Sequence, residues 1–121
     1  MGRTVTPPQD PLALDVGDIV LVAFPFSSGQ AAKKRPALVM SRRDAYGDVL
    51  LLAITSNPAT PDGIPITTAD LTNGRLDLAS WIKPEKVNAV DSARIQRVLG
   101  RARPYVLSQV RARLCPLLGC V

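Results

Sequence analysis

Two polar positions at the ends of apolar runs carry the chemistry open to this chain: Arg35, followed by Pro36, and Thr55, followed by Ser56. Pro36 has no N–H and keeps the residue before it out of the helical region, so Arg35 is expected in extended backbone at a loop–strand boundary. A guanidinium fixed in that way is planar, permanently charged and rich in donors, which are the qualities of a phosphate clamp. A hydroxyl beside it completes a grip on a phosphodiester, and the arginine can neutralise charge developing on a pentavalent phosphorus. Alone, Thr55 reads equally well as a β-branched residue that suits a strand. Its pairing with Arg35 is what sets it apart.

Other chemistry is excluded. The 121 residues include no histidine, which removes the commonest acid–base group and every nucleophile system built on it. Cys115 and Cys120 form neither a CxxC pair nor a ligand-spaced set, so they read as two semi-buried reduced thiols, and neither a metal nor another cofactor is expected. The formal net charge is +5 and is unevenly placed. From residue 92 onward there are six arginines (Arg94, Arg97, Arg101, Arg103, Arg111 and Arg113) and no carboxylate, a balance that favours a polyanionic partner, either nucleic acid or an acidic protein segment. For any one of them, plain solubility is sufficient explanation. No apolar run is long enough to cross a bilayer, and residues 1–15 lack the apolar centre of a secretory signal, so a soluble cytoplasmic protein is expected.

The elements that must position Arg35 and Thr55 are short strands. Residues 1–16 read as an N-terminal arm and 17–121 as one domain. Residues 17–24 carry Ile19, Leu21 and Ala23 on one face and Val20, Val22 and Phe24 on the other, as a strand buried on both sides requires. A loop over 25–34 leads to a second strand at 36–41, a turn at 42–47 and a third strand at 48–55. Pro58 and Pro61 mark a loop before a short fourth strand at 64–67. Residues 68–74 read as a helical turn closed by Gly74, with strands at 77–83 (bearing Trp81), 85–91 and 96–100 and a capped turn at 92–95. Pro104 opens a helix whose Val106, Leu107, Val110, Leu114 and Leu117 share one face, with Arg111 and Arg113 outward and Pro116 kinking or ending it. The fold class is mainly β (α+β): a small, strongly bent barrel closed by a C-terminal amphipathic helix.

Consecutive strands usually pair antiparallel, which brings the start of the second strand beside the end of the third. Arg35 and Thr55 are then neighbours at one rim of the barrel.

The ordered set Gly17-Asp18-Ile19-Val20 through Phe24-Pro25-Phe26-Ser27, Arg35-Pro36-Ala37-Leu38-Val39, and Ala53-Ile54-Thr55-Ser56 resembles the MazF/PemK toxins of type II toxin–antitoxin systems. The later run from Ser80-Trp81-Ile82-Lys83 to Asp91-Ser92-Ala93-Arg94 is similar to the PemK-like branch. The resemblance implies an SH3-like barrel that forms a homodimer, cuts single-stranded mRNA at short preferred sequences without a metal, and is silenced by a cognate antitoxin. It implies attack by the substrate's own 2′-hydroxyl, leaving 2′,3′-cyclic phosphate and 5′-hydroxyl ends, a chemistry that a histidine-free chain can perform. Arg35 and Thr55 take the positions of the family's catalytic pair, with Ser56 a candidate helper.

The loops flanking that rim are candidates for RNA contact. Phe24 and Phe26 are candidates for stacking on bases, with Phe24 favoured as core; Ser27 and Asn57 lie on the loops, and Lys33 and Lys34 can track the backbone. Lys86 and Asn88 lie on a strand resembling an RNA-facing one in the family, whereas Trp81 reads as packing. Gln30-Ala31-Ala32 stands where many members carry a glutamate before the arginine. Two other readings compete. One is a CcdB-type gyrase poison, disfavoured because the chain ends Leu117-Leu118-Gly119-Cys120-Val121 rather than in Trp-Gly-Ile. The other is a barrel that binds nucleic acid or an antitoxin and cuts nothing.

Overall fold

In the computed structural model, which describes residues 13–24 and 33–120, seven strands form one antiparallel sheet. The strands are β1 (Asp18–Phe24), β2 (Lys33–Val39), β3 (Asp48–Thr55), β4 (Ile64–Ile66), β5 (Leu71–Gly74), β6 (Ser80–Asp91) and β7 (Ile95–Ala102). Helix α1 (Pro104–Leu118) follows. The order across the sheet is β4-β6-β3-β2-β1-β7-β5, so β1, β2 and β3 lie at its centre and the sheet curls as a half-barrel.

The doubly apolar pattern of β1 has a direct structural cause: the sheet is packed on both faces. Ile19, Leu38, Leu52, Ile54 and Ile82 meet Val106, Val110 and Leu114 of α1 in one core. On the other face Val20, Val22 and Phe24 pack with Val39, Val49, Leu51, Val90 and Ile95. Spacing of four residues places Val106, Val110 and Leu114 on one stripe of the helix. Leu117, expected on the same stripe, is instead 60% exposed, because it lies beyond the part of the helix that reaches the sheet.

The start of β1 is pinned by charge. Asp18 is almost fully buried and accepts a hydrogen bond from Arg101 Nη1 at 2.8 Å and another from the Asp15 N–H at 2.9 Å. Arg101 also lies 3.8 Å from Asp15. Gly17 before it has φ +100, and a Cβ there would stand 3.2 Å from Leu107 of α1. Glycine is the residue that fits both demands.

Four expectations are corrected. Only Thr68–Asp70 is helical, as a 3₁₀ turn; residues 71–74 form edge strand β5, paired with β7. Gly74 (φ +81) and Gly100 come face to face there, and a Cβ on Gly74 would fall 2.1 Å from Leu99 O. The two strands expected at 77–83 and 85–91 are one, β6, which runs through Pro84. That is permitted because the β3–β6 register slips between Leu52 and Ile54, leaving Pro84, which has no N–H, in the slipped stretch. Strand β2 begins at Lys33, so Arg35 lies within it rather than at its start. Cys115 and Cys120, read as free thiols, form a disulfide. Gly119 in left-handed geometry (φ +77) turns the chain back past the helix end and brings the two Cα atoms to 4.9 Å.

Pro116 lies inside α1, which ends two residues later. Near the helix start, the Tyr105 hydroxyl donates a short hydrogen bond to Asp70, and Arg103 Nε donates to Ala69 O. The Tyr105 hydrogen bond, with help from Thr67 and Arg103, lowers the Asp70 pKa below its ordinary 3.8, and the same bond raises that of Tyr105. Among the described residues no helix is long and apolar enough to cross a membrane.

Candidate active site

Strands β2 and β3 pair through Ala37–Ala53, Leu38–Leu52 and Val39–Leu51, and the ladder then stops. Continued by two residues, the same register sets Arg35 opposite Thr55. Beyond Ala37 the first half of β2 pairs only with β1, while Ile54 and Thr55 pair only with β6. Pro36 lies at this opening and has no N–H to offer a third strand. The space left between the strands is a cleft of about 460 Å³, lined by Arg35 and Pro36 from one side and Ile54, Thr55 and Ser56 from the other. This volume is within the range of ligand-binding clefts.

Thr55 is oriented by its own turn. Its Oγ1 accepts the Asn57 N–H at 3.2 Å, and its O–H has no acceptor among the described residues. Asn57 in turn closes the loop: its Oδ1 accepts the Ala59 N–H (3.0 Å) and its carbonyl accepts from Thr60 Oγ1 (2.7 Å). The result is a hydroxyl oriented by its turn, whose proton is not taken by any other described residue. The Arg35 side chain is exposed and has no carboxylate partner among the described residues.

The rest of the lining is strongly cationic. Among the described residues Lys33, Lys34, Arg35, Arg75 and Arg97 contribute five positive groups against one carboxylate, Asp77, which lies 3.3 Å from Arg75. Low-dielectric walls such as Leu21, Pro36, Ile54 and Leu99 strengthen the field of such a group of charges. The arrangement suits a phosphate-bearing polyanion.

Of the predicted residues, Arg35, Thr55, Ser56, Lys33 and Lys34 come together in this cleft. Asn57 and Lys86 line a smaller depression of about 260 Å³ that Thr55 also borders, with Thr60, Lys83 and Glu85. Asn88 lines neither; its side-chain amide donates to Lys86 O at 3.3 Å. Phe24 is 2% exposed in the second core, so its ring is not a stacking surface and the packing reading holds. Phe26, Ser27 and Gln30 lie outside the described residues.

Arg75, Asp77 and Arg97 were not singled out for this site by the sequence. Arg97 was one of six arginines, and those six disperse: Arg101 pairs with Asp18, Arg103 bonds Ala69 O, and Arg113 donates to Asp62 O at 2.8 Å. Only register could have found Arg97. It stands beside Leu21, which on its other side stands beside Pro36.

A half-barrel with a cationic cleft between its second and third strands defines the class. A family model described as PemK-like, MazF-like toxin of type II toxin–antitoxin system matches residues 15–118, and the chain belongs to that family. No curated protein matches the sequence. Among solved structures, a MazE–MazF complex from Deinococcus radiodurans is 23% identical with a TM-score of 0.74, covering 91% of this chain and 100% of that one. MazF from the same organism is 25% identical with a TM-score of 0.67, over 88% and 96%. An endoribonuclease in complex with its cognate antitoxin from a mycobacterial species is 16% identical with a TM-score of 0.65, over 88% and 93%.

Proposed function

We propose that this chain is a sequence-specific endoribonuclease toxin that cuts single-stranded mRNA without a metal, works as a homodimer and is silenced by a cognate antitoxin. The observation that carries the reading is the cleft where β2 and β3 part, with Arg35 and Thr55 on its two sides. Family membership supports it, as do relatives described as an endoribonuclease bound to its antitoxin and as a MazE–MazF complex.

In the proposed reaction the substrate's 2′-oxygen attacks the adjacent phosphorus. A 2′-O–P bond forms, the P–O5′ bond breaks, the 2′-hydroxyl gives up its proton and the departing 5′-oxygen gains one. The products are a 2′,3′-cyclic phosphate and a 5′-hydroxyl. Arg35 binds the non-bridging oxygens and meets the charge that builds on them in the transition state, where a preorganised donor contributes most. The Thr55 O–H, set by the Asn57 N–H, donates to one of those oxygens, with Ser56 beside it as a helper. A guanidinium stays protonated through the neutral range, so its role is electrostatic rather than proton transfer. Lys33, Lys34 and Asn57 hold flanking parts of the strand.

Incubation with a long single-stranded RNA in EDTA, followed by chemical mapping of the new ends, tests this reading. Cyclic phosphate and 5′-hydroxyl ends are expected at a few recurring short sequences. RNA left intact by the protein free of antitoxin, or cleavage abolished by chelation, would contradict it.

A further inference from the structure

We propose that Arg97 and Arg75 form a second phosphate anchor across β1 from Arg35, half-masked by Asp77 until a single strand of RNA binds. Only the identity of the ligand as RNA rests on the nuclease reading; the anchor itself rests on four features of the cleft. First, the register row Arg97–Leu21–Pro36 crosses three adjacent strands, so Arg97 stands two strand spacings, roughly 10 Å, from the backbone that carries Arg35. Arg35 is one residue along from Pro36, so its side chain leaves β2 on the opposite face from that row, and the two guanidinium groups suit neighbouring phosphates rather than one. The phosphate of a neighbouring nucleotide can take the second.

Second, Arg75 is attached to the same strand as Arg97: its N–H donates to Leu99 O at 3.3 Å. Third, the segment that carries Arg75 is fixed by side-chain hydroxyls bonded to its backbone. Thr68 Oγ1 both accepts the Leu76 N–H (2.9 Å) and donates to Leu76 O (3.0 Å), and Ser80 Oγ donates to Leu78 O (2.9 Å). This makes a preformed wall, which lowers the ordering cost of binding. Fourth, Asp77 is the one carboxylate among the described residues of the cleft and it is paired with Arg75, at 3.3 Å with both side chains largely exposed. An exposed pair of that kind is weak and exchanges readily for a phosphate.

A fluorescent 2′-O-methyl RNA of about a dozen nucleotides, which lacks the attacking hydroxyl, is the probe. Its affinity for the full chain is measured against salt concentration. For single strands the slope of log affinity on log salt falls by about 0.7 for each phosphate that the protein ceases to neutralise. The Arg97→Gln variant should show that decrease. Asp77→Asn should bind about two- to fivefold more tightly, the worth of an exposed ion pair. That gain should vanish when Arg75→Gln is added, an outcome that a simple change in net charge would not produce. An unchanged slope in Arg97→Gln, or a gain from Asp77→Asn that survives Arg75→Gln, overturns the anchor. Uncut natural RNA together with the expected slopes would remove the nuclease reading and keep the anchor.

Discussion

Arg101 and Arg35 sit at opposite ends of β1 and are used in opposite ways. Arg101 meets a nearly buried carboxylate, Asp18, at 2.8 Å and a second one, Asp15, at 3.8 Å. Arg35, whose register partner on β1 is Val22 near the far end, meets none among the described residues and lines a cleft together with other cations. The first is a structural rivet, in which the cation satisfies an acid that would otherwise be stranded. The second leaves like charges uncompensated in one place, an arrangement that costs stability and is tolerated where a polyanion will enter. Under the proposed function the same side chain serves fold at one end and ligand at the other, and the carboxylate decides which.

Substitution should separate the two. Arg35→Ala is expected to slow RNA cleavage by about 10²–10³-fold, the loss seen when a preorganised charge-stabilising donor is removed. Its thermal midpoint should hold or rise slightly, since the side chain is exposed and one of the crowded like charges is gone; matched cleavage and melting measurements check both. Arg101→Ala should do the reverse. It strands Asp18 and should lower stability by about 2 kcal/mol in denaturant titration, while cleavage per folded molecule is kept. If both variants lost stability and activity together, the division would fail.

A third site sharpens the contrast at smaller scale. Asp70 is held below its ordinary pKa chiefly by the Tyr105 hydrogen bond, which ties the 3₁₀ turn ahead of β5 to the helix start. A lowered carboxylate pKa stabilises the fold fully above its unfolded value near 3.8 and loses that contribution as pH falls through the lowered one. Tyr105, raised above 10, contributes below that pH and loses its share on the alkaline side. In Tyr105→Phe the stability–pH profile should therefore flatten below about pH 4 and above about pH 10, read by melting across pH.

Much of this was legible in the residues. The apolar faces of β1 and β3 demanded a sheet covered on both sides, and the Arg35–Pro36 and Thr55–Ser56 positions, with antiparallel neighbours, demanded a shared rim. What spacing could not show was register. Gly74 looked like a helix terminus, because a left-handed glycine serves a close strand crossing as well as it serves a cap. Pro84 looked like a strand break, because a register slip that accommodates it leaves no mark in composition. Arg97 reached the cleft only because β7 lies beside β1, a pairing between strands far apart in sequence. The Cys115–Cys120 bond depends on a turn at Gly119, and a spacing of five residues does not announce it.

The central claim is that Arg35 and Thr55 grip the same phosphate. A double-mutant cycle on single-turnover cleavage in EDTA tests it most directly, using Arg35→Ala, Thr55→Ala and the double variant. Groups that act as one unit are strongly non-additive. The double variant should therefore be scarcely slower than Arg35→Ala alone. Rate losses that simply multiply would mean that the two side chains act on separate parts of the substrate, and would contradict the shared grip.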